Sequence, residues 1–205
     1  QPEKKEADAE DQESQDAEQP DDPVAHTLVA LHQSVRRRFV DIAAFDNWLQ
    51  QLHNQRTFLI QQGIDLLPYQ DAVVDLRTIA QRNKKGRWEV TGMFAKQAPP
   101  GLAVTNVKAG GRAMHVNEYF RGVGLDDEQQ FQVKRELERL SLQIVEVFGR
   151  HYGNRLYGLD IGLDRNGKLW LIEINTRPSV LILKQIDRQM YRRSARLRWP
   201  QGRGT

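Results

Sequence analysis

Residues 156–178 read LYGLDIGLDRNGKLWLIEINTRP, two apolar segments on either side of a short polar turn. Asp164-Arg165-Asn166-Gly167 supplies the turn, because Asn and Gly tolerate positive φ at little cost. Side chains alternate faces along a strand. With Arg165 and Asn166 as a two-residue loop, Gly158 stands opposite Glu173 and Asp160 opposite Leu171. One face then gathers Leu159, Ile161, Leu163, Trp170, Ile172 and Ile174, and is expected to be core. The other gathers Asp160, Glu173 and Asn175, with the two acids as diagonal neighbours roughly 7 Å apart.

Two carboxylates that close resist joint ionisation unless a cation lies between them. All three side chains offer hard oxygen donors, which suit Mg²⁺ or Mn²⁺ rather than zinc or copper. Magnesium keeps several waters and commonly bridges phosphates, so the pattern points to a nucleoside-triphosphate site. The alternative is a solvated face that happens to be acidic. Against it, Gly158 and Leu171 share that face.

Outward from the hairpin, Asp126–Phe148 reads as a helix capped by Asp126 and ended at Gly149 or Gly153. Its expected apolar stripe is Phe131, Leu137, Leu140, Ile144, Val147 and Phe148. Val73–Arg82 and Trp88–Gln97 read as antiparallel strands joined by a turn at Asn83–Gly86. Arg56–Ile64 reads as a further strand and Val104–Ala109 as a short extended piece. Asp41–Leu52 is a helix capped by Asp41. Val24–Val40 has helical or mixed periodicity, and Leu181–Leu197 a basic helical one. Strand pairs with helices outside the sheet suggest an α+β fold with an antiparallel sheet flanked by helices.

The 205 residues suffice for one domain or two small ones. Apolar content is 39% and mean hydropathy −0.66. The deficit lies in residues 1–22, with ten acids, two lysines and no large apolar residue. Such a segment cannot bury enough surface to offset chain entropy, so an acidic disordered tail is expected there. A globular domain over 23–183 and a basic helix or tail over 184–205 complete the division. With the tail at −8 and the whole at +3, residues 23–205 carry +11. That charge suggests an anionic partner. Seven basic residues fall between Lys184 and Arg203. Aromatics do not interleave with them as single-strand binding wants, so a solvated helix face is favoured over a nucleic-acid surface.

The absence of cysteine excludes disulfides, thiolate zinc sites and Cys nucleophiles, and permits a reducing cytosol. No apolar run approaches the ~18 residues of a membrane span, and no signal peptide is evident, so a cytoplasmic location is expected. The opening Gln in place of Met reads as a fragment or a processed chain. The five histidines, His26, His32, His53, His115 and His151, show no ligand spacing and are expected to be structural or surface residues.

The stretch GLDIGLDRNGKLWLIEINTRP resembles the metal-binding end of the ATP-grasp superfamily: Asp, Glu thirteen residues on, then Asn two later. FLIQQGIDL resembles the strand and hinge that hold adenine. VVDLRTIAQ resembles the Asp-x-Arg strand of the glutathione synthetase and ribosomal-protein glutamate ligase branches. FAKQAPPGLAVTNVKAGGRA resembles the segment that follows. The YheC/YheD family, associated with the endospore coat, is most similar, sharing QQGI, the Asp-x-Arg strand, GRWEVTG and WLIEIN over about residues 39–180.

The resemblance implies an ATP-grasp C-terminal-type subdomain and assigns roles. Asp160, Glu173 and Asn175 would hold Mg²⁺ against the ATP phosphates. Arg77 would neutralise the transferring phosphate or a substrate carboxylate, and Lys96 would contact phosphates where relatives use Arg. Gln61, Gln62, Gly63 and Ile64 would meet adenine. Asn106, with Gly110 and Gly111, would form a loop near the phosphates. The implied reaction is ATP-dependent carboxylate–amine ligation through an acyl phosphate, on an unknown carboxylate and amine. Spore coat association is implied as well. The family's lysine strand and glycine-rich loop have no counterpart before residue 39, so the subdomain reads as incomplete. Three readings stay open: a fragment of a longer enzyme, a half supplied by another chain, or a degenerate module that does not ligate. The oligomeric state is open too.

Overall fold

The structure, a computed structural model, describes residues 28–32, 35–53, 61–101, 105 and 110–197. The acidic tail, residues 56–60 and Asn106 lie outside the described residues. Two compact units divide the chain, one of residues 1–30 and 36–57, the other of 31–35 and 58–205.

Around the first unit, β1 (Leu28–His32) and β2 (Val35–Phe39) pair as a two-stranded sheet. The helical or mixed reading of Val24–Val40 is therefore corrected over these residues. Ladder pairing with a neighbour decides short strands, and periodicity does not register it. Helix α1 (Ile42–His53) starts as expected, with Ala44 N donating to Asp41 Oδ1 at 2.7 Å. Phe39, Phe45 and Trp48 cluster with ring centroids 5.2–6.0 Å apart.

The second unit is built on β3 (Val74–Arg82), β4 (Trp88–Gln97), β5 (Arg112–His115), β6 (Leu156–Leu163) and β7 (Leu169–Asn175). They form an open antiparallel sheet in the order β5-β4-β3-β6-β7. The α+β fold with a helix-flanked antiparallel sheet is what the sequence predicts. Of the expected Arg56–Ile64 strand, residues 61–64 are described and carry no regular structure.

One face of the sheet carries Val74, Leu76, Ala80, Ala95, Leu159, Ile161 and Leu163, all buried. Helices α2 (Val116–Gly122) and α3 (Asp127–His151) cover it. Asp126 and Gln129 form a reciprocal cap at the start of α3, each side chain bonded to the other's backbone N–H. The buried line of α3 is Leu137, Ser141 and Val145, while Phe131 and Val147 are about half exposed. Leu140, Ile144 and Phe148 pack against that core with Leu137 as predicted, and only Phe131 and Val147 leave the stripe. Ser141 sits on the core line because it meets Thr78 across the interface, 2.9 Å between hydroxyls. Gly149 does not end the helix. Its place is taken by close packing, since a Cβ there would lie 2.6 Å from the Trp88 ring.

The opposite face divides in two. Its lower half is apolar and covered by the C-terminal segment, where Ile79, Phe94, Val180 and Leu183 bury together. The expected single helix over 181–197 is two, α4 (Leu183–Ile186) and α5 (Arg188–Leu197). Asp187 breaks it, with extended backbone and Oδ1 accepting from Gln189 N and Met190 N at 2.6 and 3.1 Å. The upper half carries charge.

Candidate functional site

Strand parity puts Asp75, Arg77 and Ile79 of β3 on that second face, with Lys96 and Phe94 opposite them on β4. Asp160 is the β6 partner of Arg77, and Glu173 the β7 partner of Asp160. The chain thus crosses Lys96, Asp75, Arg77, Asp160 and Glu173 over four adjacent strands.

The hairpin register differs from the sequence expectation. Asp164 N bonds to Lys168 O and Gly167 N to Asp164 O, so the loop has three residues rather than two. Gly167 takes φ of 80°, the left-handed residue that closes this loop type. A bulge between Asp160 and Ile161 then shifts pairing by one more residue. The two shifts together put Asp160 opposite Glu173 and Gly158 opposite Asn175, and keep all three oxygen-bearing residues on one face. Between the bulge and the turn the longer loop reverses the expected faces of the second strand. Ile161 faces Leu171, Gly162 faces Trp170, and Ile172 Cδ1 lies 3.3 Å from where a Gly162 Cβ would be. Trp170 and Ile172 therefore leave the predicted core face. Trp170 instead donates Nε1 to Asp164 Oδ2 at 2.8 Å.

Two cations converge on Asp160. Arg77 forks onto it, Nη2 to Oδ2 at 2.6 Å and Nε to Oδ1. Lys96 Nζ lies 2.9 Å from Asp160 Oδ1 and 3.1 Å from Asp75 Oδ1. Asp75, Lys96 and Asp160 are 5%, 8% and 3% exposed. Thr105 Oγ1 donates to Asp75 Oδ2. Burial pushes the Asp75 carboxyl up to about 6; the Lys96 ammonium opposes that shift and the Asp160 charge adds to it. Asn175 Nδ2 donates to Asp160 Oδ2 at 3.3 Å; with the amide turned over, its nitrogen would instead donate to Glu173 Oε1 at 3.3 Å and its oxygen accept from Arg77 Nη2 at 3.2 Å. Glu173 is exposed.

Glycine makes this packing possible. A Cβ on Gly158 would meet Pro178 Cβ at 2.7 Å and Arg77 Nη1 at 3.2 Å. Pro178 and the segment after it close over the sheet at that point.

Of the residues singled out by sequence, Arg77, Lys96, Asp160, Glu173 and Asn175 come together. Gln61, Gln62 and Gly63 are exposed and Ile64 half-buried, with no hydrogen bond to that group among the described residues. Gly110 takes φ of 95°. Sequence reasoning missed Asp75 and Thr105. Strand alternation was the available signal for Asp75, two residues before Arg77 and across from Lys96.

Two carboxylates and an amide supply only hard oxygens, and Asp160 with Glu173 are register partners, so the donor set fits Mg²⁺. Among the described residues no group of three His, Asp or Glu converges. A cation at Asp160 would take over an oxygen now held by Arg77 or Lys96.

Elsewhere, an open cleft of about 330 Å³ is lined by Glu89, Gln189, Arg192, Arg193, Arg196 and Leu197. Among the described residues no helix is long and apolar enough to cross a membrane.

An open antiparallel sheet flanked by helices fits an ATP-grasp module. The model of the YheC/D-like ATP-grasp family matches residues 18–199, and the chain belongs to that family. It is 32% identical over 163 residues to the endospore coat-associated protein YheD of Bacillus subtilis (strain 168), covering 76% of this chain and 35% of that protein. To the endospore coat-associated protein YheC of the same organism it is 21% identical over 143 residues, 69% of this chain and 39% of that one. The chain therefore matches little more than a third of the length of these curated relatives.

Proposed function

We propose that this chain binds ATP with Mg²⁺ on the charged half of its sheet and serves carboxylate–amine ligation. The observation that carries the reading is the convergence of Arg77 and Lys96 on Asp160, with Glu173 and Asn175 alongside. In this reading Asp160, Glu173 and Asn175 hold the metal. Mg²⁺ supplies charge neutralisation and orientation of the phosphate oxygens. Arg77 offers a planar fork to a phosphate or a substrate carboxylate, and Lys96 offers a point charge. Gln61 to Ile64 and Asn106 are assigned to adenine and the phosphate loop by family pattern alone.

A carboxylate oxygen attacks the γ-phosphorus of ATP, the bond to the β–γ bridging oxygen breaks, and ADP leaves. An amine nitrogen then attacks the acyl phosphate carbon, phosphate departs, and the nitrogen loses a proton to give the amide. The protein's part is mainly positioning and electrostatic stabilisation.

A second reading is a binding module that performs no ligation and associates with the spore coat. Both curated relatives bear coat-associated names, and this chain matches about a third of their length. Amine-dependent ADP release separates the two. The first reading expects ADP formation that rises with a suitable carboxylate and amine and is lost in Asp160→Asn. ATP binding without any such release supports the second.

A further inference from the structure

We propose that Asp75 is a positioning residue that anchors Lys96 and keeps its ammonium directed toward an incoming phosphate. The proposal rests on the ATP-site reading above and assigns a role to a residue that reading leaves unused.

Four ionisable groups lie side by side, two acids and two bases. Arg77 is committed to Asp160 through two hydrogen bonds. Asp75 has Lys96 as its one ion-pair partner among the described residues, at 3.1 Å. Lys96 and Asp75 are cross-strand partners, both nearly buried, so each is held close to the other by the register itself. Thr105 occupies Asp75 Oδ2 and leaves Oδ1 to face the ammonium. A lysine head has three donors on a flexible stem. Asp160 Oδ1 at 2.9 Å and Asp75 Oδ1 at 3.1 Å give the ammonium two contacts for three donors, which leaves one for a phosphate oxygen. Without Asp75 the ammonium has only Asp160, which Arg77 already holds through two hydrogen bonds, and it swings out to water.

The two consequences have opposite signs from simple electrostatics. Removing a carboxylate beside an anion site should tighten anion binding by field alone. Loss of a positioning group should weaken it.

The test uses the full chain. Nucleotide-free protein is acylated with an N-hydroxysuccinimide ester, and modification of Lys96 is followed by peptide mass mapping. Wild type and Asp160→Asn should protect Lys96. Asp75→Asn should raise its modification rate about tenfold, the scale seen when partners that orient a ligand are removed. ATP affinity, measured by titration calorimetry, should fall about tenfold in Asp75→Asn. Protection unchanged in Asp75→Asn, protection lost equally in Asp160→Asn, or tighter ATP binding in Asp75→Asn overturns the proposal. Should Asp75→Asn fail to fold, Thr105→Val removes the hydroxyl that orients Asp75 without altering a charge. It should open Lys96 in the same direction, and an unchanged rate overturns the proposal. Wild type that binds no ATP contradicts the ATP-site reading, while the labelling still decides the role of Asp75.

Discussion

Arg77 and Asp160 face each other across β3 and β6 and are joined by a forked ion pair, with Nη2 to Oδ2 at 2.6 Å. Their side chains are 14% and 5% exposed. Removing one partner of such a pair strands the other, which costs more than the pair contributes. Arg77→Ala is expected to lose roughly 3 kcal/mol in urea unfolding. Arg77→Lys should recover little of it, because a point charge cannot reproduce the fork. A loss within error of zero would show that Lys96 alone compensates Asp160.

Asp75 sets a pH dependence. Its pKa is about 6 in the folded chain against an ordinary 3.8, raised first by burial. Between those values the folded state binds more protons than the unfolded one, so this group's contribution falls as pH rises. The contribution is full below about pH 4 and lost above about pH 6, to the extent of roughly 3 kcal/mol. The stability of wild type relative to Asp75→Asn should therefore decline across this window in the nucleotide-free protein. A flat or rising difference would place the Asp75 carboxyl at or below its ordinary range.

Gly158 is a steric requirement. Its added Cβ would meet Pro178 at 2.7 Å, a contact between two carbons that neither side can yield by rotation. Gly158→Ala should cost about 1–3 kcal/mol by chemical denaturation, the range for overpacking. Because Arg77 Nη1 lies 3.2 Å from the same point, the variant should also bind ATP more weakly.

Thr78 and Ser141 tie α3 to the sheet through buried hydroxyls. Ser141→Ala removes one of them and should cost about 1–3 kcal/mol. Thr78→Val combined with Ser141→Ala should cost less than the two single changes added together, since the double variant leaves neither group unpaired. Additive losses in a double-mutant cycle would mean the hydroxyls do not interact.

Much of this was legible in the chain. Turn chemistry at Asp164–Gly167, alternation in Val73–Arg82 and Trp88–Gln97, and the Asp126 cap are local signals, and each element formed where its signal lay. What escaped depended on contacts distant in sequence. The three-residue turn takes Trp170 and Ile172 off the core face, and the bulge after Asp160, which leaves no mark in composition, restores the parity that sets Glu173 opposite Asp160. The pairing of β1 with β2, and the short β5 and α2 with His115 Nδ1 accepting from Asn117 N, were not read from periodicity. Asp75 was missed because an acid next but one to an arginine looks like a surface pair. Its burial follows from Lys96 and Thr105, which lie 21 and 30 residues further along the chain.

The central claim, that the charged row on β4, β3, β6 and β7 receives Mg-ATP, is tested most directly by thermal unfolding with and without saturating Mg-ATP. A ligand present at about 100 times its Kd stabilises by roughly 2.7 kcal/mol, several degrees in Tm for a domain of this size. Wild type should show that rise, and Asp160→Asn and Glu173→Gln, both folded, should lose it. An absent rise in wild type, or a rise that both variants retain, would contradict the account.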